Sequence, residues 1–325
     1  MEDRGWRNDG APFLSSILNP PFSSSDERPA YDAPMSQNVK RELHEDNRLS
    51  WNAATDAHNS HKGEQAPFFR GGGCKLYPEE RELLGDLNRL DVVHLQCNCG
   101  QDSLTIANLG ARHVTGVDIS DTAVTFAAKL AADAGIAGVN FIRRDVYDYF
   151  ADATAAGATF DVAFSSYGTL GWMSHLSGWA RGVAGVLKPG GRLVLVDFHP
   201  VMQIFDEQLR QRYPYFGEGR VQTWDDGVSD YVAQTGGPSP YGELLPGVVD
   251  FRNPHRAHEF QWALSEIVSA VIDAGLMLTT LREYPYANGF APFKGMRHLG
   301  ADRWTLAAET PNLPLMYALA ARKPL

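Results

Sequence analysis

DVVHLQCNCGQDSLTIANLGARHVTGVD, residues Asp91 to Asp118, is the stretch that decides how this chain folds. Val92, Val93 and Leu95 give the short apolar run of a buried strand, and Gly100 stands where that strand turns into a helix starting near Asp102. Leu104, Ile106 and Ala107 suit a helix packed on a sheet, Gly110 is placed to end it, and Val114 to Val117 begin a second strand. Such a unit leaves a turn and a helix N-terminus open above the first strand, with Asp118 beside them at the end of the second. That is a nucleoside-binding geometry: a carboxylate there accepts from the ribose hydroxyls, and glycine lets a ligand approach the backbone closely.

The same alternation extends outward. Residues 78–88 read as a short helix leading in. Beyond Asp118, Ser120 caps a helix whose Ala123, Ala127, Leu130 and Ala131 recur at helical spacing, and Gly135 closes it. Val139 to Arg143 form a third strand, ending at Asp145, and Phe160 to Phe164 a fourth, ending at Ser165 and Ser166. A helix around 176–187 and the turn Lys188-Pro189-Gly190-Gly191 lead to a fifth strand, Arg192 to Asp197. A helix from about Glu259 to Ala274, with Phe260, Leu264, Ile267, Val268 and Val271 as its buried face, precedes two last strands, Leu276 to Leu281 and Leu315 to Ala321. The expected fold is α/β: a doubly wound, seven-stranded, mostly parallel Rossmann-like sheet with ligands at the carboxyl ends of its strands.

Other segments stand apart from this core. Residues 1–37 are rich in Pro, Ser and Asp without periodicity and read as a disordered leader. Residues 38–70 form an N-terminal helical lid before the 71–325 domain, with Trp51 either a packing anchor or a cover over a ligand. Between about 199 and 258 regularity lapses into an insertion carrying Tyr213, Tyr215, Phe216, Trp224 and Tyr231, together with the turn-rich GGPSPYGELLPG at 236–247. It reads as an aromatic substrate cap or as an ordinary subdomain. A second aromatic loop, with Tyr284, Tyr286, Phe290 and Phe293, lies between the last two strands.

Composition narrows the partners. Among 325 residues, 44% are hydrophobic and 21% charged, as in a globular protein, and the net charge of −10 argues against nonspecific nucleic-acid binding. Cys74, Cys97 and Cys99 are an odd number, so a disulfide framework is not expected. His94, Cys97 and Cys99 lack the remaining ligands of a zinc site, and tight packing accounts for them better than a metal. With no apolar run of about 18 residues and a poor signal-peptide pattern, the cytoplasm is the expected location and no membrane partner is expected.

A dinucleotide fingerprint needs Gly-x-Gly-x-x-Gly after the first strand, so that a pyrophosphate rests on the helix N-terminus. Here the turn is Gln96-Cys97-Asn98-Cys99-Gly100-Gln101-Asp102, with one glycine and a carboxylate where the pyrophosphate would lie. A nucleoside without phosphates fits better. In motif order and spacing, residues 45–325 resemble a class I S-adenosylmethionine (SAM) dependent methyltransferase. That family's first strand and turn usually run (Val/Leu)-Leu-Asp-(Leu/Val)-Gly-Cys-Gly-x-Gly. Val92-Val93, Leu95, Cys97 and Gly100 match this pattern, while His94 replaces the acidic residue and Gln96 and Asn98 replace two glycines. HLQCNCGQDSL followed by TGVDIS is similar to a small-molecule subgroup carrying HLQC-x-x-G-x-D.

The resemblance implies SAM as cofactor, an antiparallel final strand, and a set of contacts. Asp118 would hold the ribose hydroxyls, Ile119 would pack on the adenine, and Asp145 with the Val146 backbone would meet the adenine amino group. Gln96, Asn98 and Gly100 would border the methionine part, with Ser165 beneath it; since His94 cannot stand in for the family's acid, Gln96, or Trp51 and Asn52 of the N-terminal helix, are the candidates to hold that end. Methyl transfer asks the protein to align a nucleophile, exclude water and, for some acceptors, remove a proton. Tyr167 and His199, just beyond the fourth and fifth strands, are the candidates for orienting or deprotonating the acceptor, or are hydrogen-bonded pocket walls. Trp172, His175, Tyr213, Tyr215 and His258 are candidate acceptor contacts through aromatic faces. The expected activity is methyl transfer to nitrogen or oxygen of a small-molecule acceptor. SAM binding without turnover and an NAD-dependent oxidoreductase are the alternatives, and the turn disfavours the second.

Overall fold

The computed structural model describes residues 39–235 and 245–325. The leader expected over 1–37 and most of the turn-rich stretch at 236–247 lie outside the described residues. An N-terminal segment comes first, made of helices α1 (Arg41–Ser60), α2 (Ala66–Arg70) and α3 (Pro78–Leu84). The sheet then alternates with helices: β1 (Asp91–Leu95), α4 (Gln101–Asn108), β2 (His113–Asp118), α5 (Asp121–Ala134), β3 (Val139–Arg143), α6 (Val146–Ala155), β4 (Phe160–Ser166), α7 (Leu176–Val186) and β5 (Leu187–Phe198). The insertion holds β6 (Arg220–Trp224), α8 (Tyr231–Thr235) and β7 (Ala257–Gln261). The chain closes with α9 (Leu264–Asp273), β8 (Met277–Tyr284), three short strands β9 (Ala287–Asn288), β10 (Arg297–Gly300) and β11 (Arg303–Thr305), and finally β12 (Met316–Arg322).

The main sheet has seven strands in the order β3-β2-β1-β4-β5-β12-β8. Strands β1 to β5 pair in parallel, whereas β12 runs antiparallel to both neighbours. The expected doubly wound, seven-stranded sheet is therefore the fold, and the final strand has the direction that the resemblance implied. Because helices cover both faces, the central strands are apolar on both sides: β1 buries Val92, Val93 and Leu95, and β5 buries Leu193 through Val196. Fully buried Trp179 on α7 and Phe150 on α6 anchor one face. They come together because Gly182 carries no Cβ; one placed there would stand 2.0 Å from the Phe150 ring.

Two local expectations are corrected. Glu259 to Gln261 are not helical but form β7, paired antiparallel with β6, so Phe260 is buried in a strand and the helix begins only at Leu264. The aromatic loop between β8 and β12 contains a small three-stranded sheet, ordered β10-β11-β9. Cys74 is exposed and Cys97 and Cys99 are buried, all three as unpaired thiols. Among the described residues no helix is long and apolar enough to cross a membrane, and no cluster of three or more His, Cys, Asp and Glu is placed to hold a metal ion.

Candidate active site

Above the carboxyl ends of β1 to β4 lies a cavity of about 270 Å³. Its floor is the turn after β1, and three of its wall residues depart from ordinary backbone geometry. Gln96 (φ 50°), Asn98 (φ 47°) and Tyr167 (φ 46°) all sit in the left-handed region without being glycine. Such conformations cost of order 1 kcal/mol or more each and gather where a site over-determines the chain. At Asn98 the side chain helps, its Oδ1 accepting from the Cys99 N–H at 2.7 Å. The Gln96 side chain is held at both ends: its Oε1 accepts from Ser165 Oγ at 3.1 Å, and its Nε2 lies 3.0 Å from Met173 Sδ.

Asp118 is fixed by the backbone. Its Oδ2 accepts from Asn98 N–H at 2.8 Å and its Oδ1 from Ser120 N–H at 2.9 Å. Burial raises its pKa, and those N–H donors oppose the rise. The carboxylate, with four lone pairs, retains capacity beyond these backbone bonds, and it lines the cavity together with Ile119.

Asp145 caps α6, its Oδ1 accepting from Tyr147 N–H at 2.9 Å. Helix α1 covers it from above: His44 Nδ1 lies 2.7 Å from Oδ2 and Arg41 forms an ion pair with Oδ1 at 2.9 Å. Burial alone would raise this carboxyl, but the hydrogen bond with His44, the Arg41 charge and the Tyr147 N–H outweigh it and hold the pKa below the usual range.

His94, at the position where the resemblance has an acid, is buried, with Nδ1 2.8 Å from Ser103 Oγ and its ring tilted against Phe164. Burial pushes its pKa down to about 3, so it is neutral and contributes no charge to the cavity.

On the β4 side, buried Asp197 shapes the wall. It accepts from the backbone N–H groups of Gly168, Thr169 and Leu170, the last two at 3.2 Å, and so fixes the turn that carries Tyr167. The Tyr167 hydroxyl accepts from Asn288 Nδ2 at 2.9 Å, and burial raises its pKa well above the ordinary value. It can therefore orient a neighbour by donating its O–H, but it is poorly suited to taking a proton. Trp51 and Trp172 meet edge to face with ring centroids 5.5 Å apart, and both line the cavity.

The structure thus brings Trp51, Gln96, Asn98, Asp118, Ile119, Asp145, Val146, Tyr167 and Trp172 to one cavity. It leaves others outside. Ser165 is fully buried beneath Gln96, and Gly100 supports the turn from behind. His199 does not reach the wall: its Nδ1 accepts from Val201 N–H, its Nε2 lies 2.9 Å from Glu283 Oε1, and its ring packs on Tyr317. His175 begins α7, with its backbone N–H donating to Tyr147 Oη. Tyr215 accepts from Leu264 N–H at the start of α9, and Tyr213 belongs to the same irregular stretch. His258 lies between Thr223 and Asp46, tying the insertion to α1. These positions are off the cavity because they serve contacts between elements, which spacing alone does not reveal.

The wall also holds residues that the sequence reading did not assign. Among them, His44, Asn47, Lys62 and Lys75 come from the N-terminal segment, Asp102 from α4 and Tyr231 from the insertion. Asp102 was legible as a charge at the helix start; the others depend on how the N-terminal segment and the insertion dock on the sheet.

Residues 92–191 match the family model described as a methyltransferase domain. The matched span is similar to that family over somewhat less than a third of the chain. It runs from β1 through the turn before the last part of β5 and contains Asp118, Asp145 and Tyr167. No curated protein matches the chain. Solved structures similar to it include an S-adenosylmethionine dependent methyltransferase from Mesorhizobium loti (18% identity, 76% of this chain and 96% of that one, TM-score 0.48). The CcbJ methyltransferase from Streptomyces caelestis (16% identity, 86% and 99%, TM-score 0.49) and a SAM-dependent methyltransferase from Methanosarcina mazei (20%, 77% and 99%, TM-score 0.45) are also similar. These are likenesses of chain trace, not of chemistry.

Proposed function

We propose that this protein transfers a methyl group from SAM to nitrogen or oxygen of a small, partly apolar acceptor, as the HLQC-x-x-G-x-D subgroup it resembles would do. The observation that carries the reading is the pair of strand-end carboxylates, Asp118 and Asp145, lining one cavity within the span that is similar to a methyltransferase domain. The chemistry of the donor set fits the cofactor: Asp118 has free lone pairs for a ribose diol, and the turn offers no glycine-lined cradle for a pyrophosphate. When bound, SAM supplies a methyl carbon already activated by its sulfonium.

The chain's own part is then alignment and exclusion of water. Asp118 accepts from the ribose hydroxyls, Ile119 and Val146 flank the adenine, and Asp145 accepts at its amino edge through Oδ2. Gln96 and Asn98 border the methionine part. Tyr167 donates its O–H to orient the acceptor, and the faces of Trp51 and Trp172 favour a cationic sulfonium or amine by about 0.5–2 kcal/mol. Helix α1 closes the site. The acidic charge of the chain supports a small molecule over a nucleic acid as acceptor.

The test is release of S-adenosylhomocysteine from SAM by the full chain across a panel of small amines and phenols. Acceptor-dependent release is expected. SAM binding without release for every acceptor class would favour a binding protein without turnover.

A further inference from the structure

One end of the cavity carries charges that the nucleoside contacts leave unexplained. The strand order β3-β2-β1-β4 sets out the chemistry in a row: Asp145 follows β3, Asp118 ends β2, the 96–100 turn follows β1, and Ser166 ends β4. With neighbouring strands about 4.8 Å apart, this row spans roughly 14 Å, enough for an elongated ligand. At its β1–β4 end stand Lys62, just after α1, Lys75, just before α3, and Asp102, in the first turn of α4; all three line the cavity.

Among the described residues neither ammonium lies within ion-pair distance of a carboxylate. Lys75 instead rests 5.6 Å from the centre of the Tyr77 ring. Asp102 takes a single hydrogen bond, from Ser166 Oγ at 3.4 Å. Burial lowers the pKa of Lys62 and raises that of Asp102, the nearby lysine charges opposing the latter. All three are half-buried in the wall rather than sealed from water, and cations beside a carboxylate around one opening match a ligand end that carries the complementary pair of charges. His94, where an acid would otherwise stand, is neutral and occupied with Ser103.

We infer that Lys62 and Lys75 receive the carboxylate, and Asp102 the ammonium, of the amino-acid end of the cofactor. The methionine part is thereby held by charges from the N-terminal segment and α4 rather than by a residue on β1. This assignment rests on SAM as the ligand. It gives the lid a chemical role as well as a steric one, because Lys62 is in place only while α1 is docked.

Calorimetric titration of the full chain tests it by comparing wild type and variants on three ligands: S-adenosylhomocysteine; 5′-methylthioadenosine, which lacks the amino acid; and decarboxylated SAM, which keeps the sulfonium and the amine of SAM and lacks its carboxylate. The wild type is expected to bind S-adenosylhomocysteine at least about tenfold more tightly than methylthioadenosine, the size of a charge-assisted contact. Lys62→Met should erase most of that preference while leaving methylthioadenosine and decarboxylated SAM unaffected. Asp102→Asn should weaken decarboxylated SAM and S-adenosylhomocysteine alike and spare methylthioadenosine, whose retained binding shows that each variant is folded. A preference unchanged in both variants, or an equal loss of all three ligands, overturns the assignment while the cofactor reading stands. A wild type that binds none of the three overturns both.

Discussion

Gly100 shows how a single position secures the site without touching a ligand. Its φ is +75°, and a Cβ there would lie 2.6 Å from the Phe141 ring and 2.8 Å from the Ala127 methyl. Gly100→Ala should therefore cost about 2–4 kcal/mol, combining left-handed backbone strain with overpacking, read as a lower midpoint in urea unfolding. A variant as stable as the wild type would mean the turn relaxes freely. Gln96 and Asn98 adopt the same backbone region without that steric demand, which is why glycine is dispensable there and indispensable at Gly100. The sequence makes this turn legible as a turn, and Asp118 and Asp145 legible as strand-end carboxylates. It does not reveal that Asp145 is already engaged by His44 and Arg41, since those contacts join residues about a hundred positions apart.

Helix α1 is held between the sheet and the insertion. Asn52 Oδ1 accepts from Ser120 Oγ at 2.7 Å, Arg48 pairs with Asp121, and Asn47 exchanges two hydrogen bonds with the His258 backbone, at 2.8 and 2.6 Å. Asn47→Ala would leave a buried N–H and C=O of β7 unpaired, at an expected cost of about 2–4 kcal/mol and with faster amide exchange across α1 and β7. Unchanged exchange there would show that the lid is anchored elsewhere. The sheet strands were readable because buried parallel strands are continuous apolar runs bounded by turns. β7 was not: Phe260 falls at helical spacing from Leu264 and Ile267, and only its pairing with β6 decides between strand and helix. The short strands β9 to β11 carry no periodicity to read.

Over the whole molecule, buried imidazoles set the response to acid. Burial pushes His94 down to about 3 and His58 to about 4, below the value near 6.5 of an unfolded chain. Depressed values mean stability is complete above about pH 6.5 and falls as pH drops toward the folded pKa, because the unfolded chain takes up protons first. Between pH 6 and 5 these two groups should remove about 2–3 kcal/mol of unfolding free energy. His175 and His199, also held down by burial, act in the same sense. Denaturant unfolding at pH 7, 6 and 5 measures this, and a flat profile would contradict burial of neutral histidines. Fold class and the line of strand-end acids were readable over the whole chain; the cavity's lysines and the exclusion of His199 were not, because they depend on the docking of segments far apart in sequence.

The central claim is that the cavity above β1 to β4 binds SAM through Asp118. The most direct measurement is calorimetric titration of SAM into the full chain and into Asp118→Ala. Single-site binding that the substitution weakens at least about tenfold, the loss of a charged hydrogen-bond acceptor, is the expected result. Equal affinity in the two proteins would contradict it.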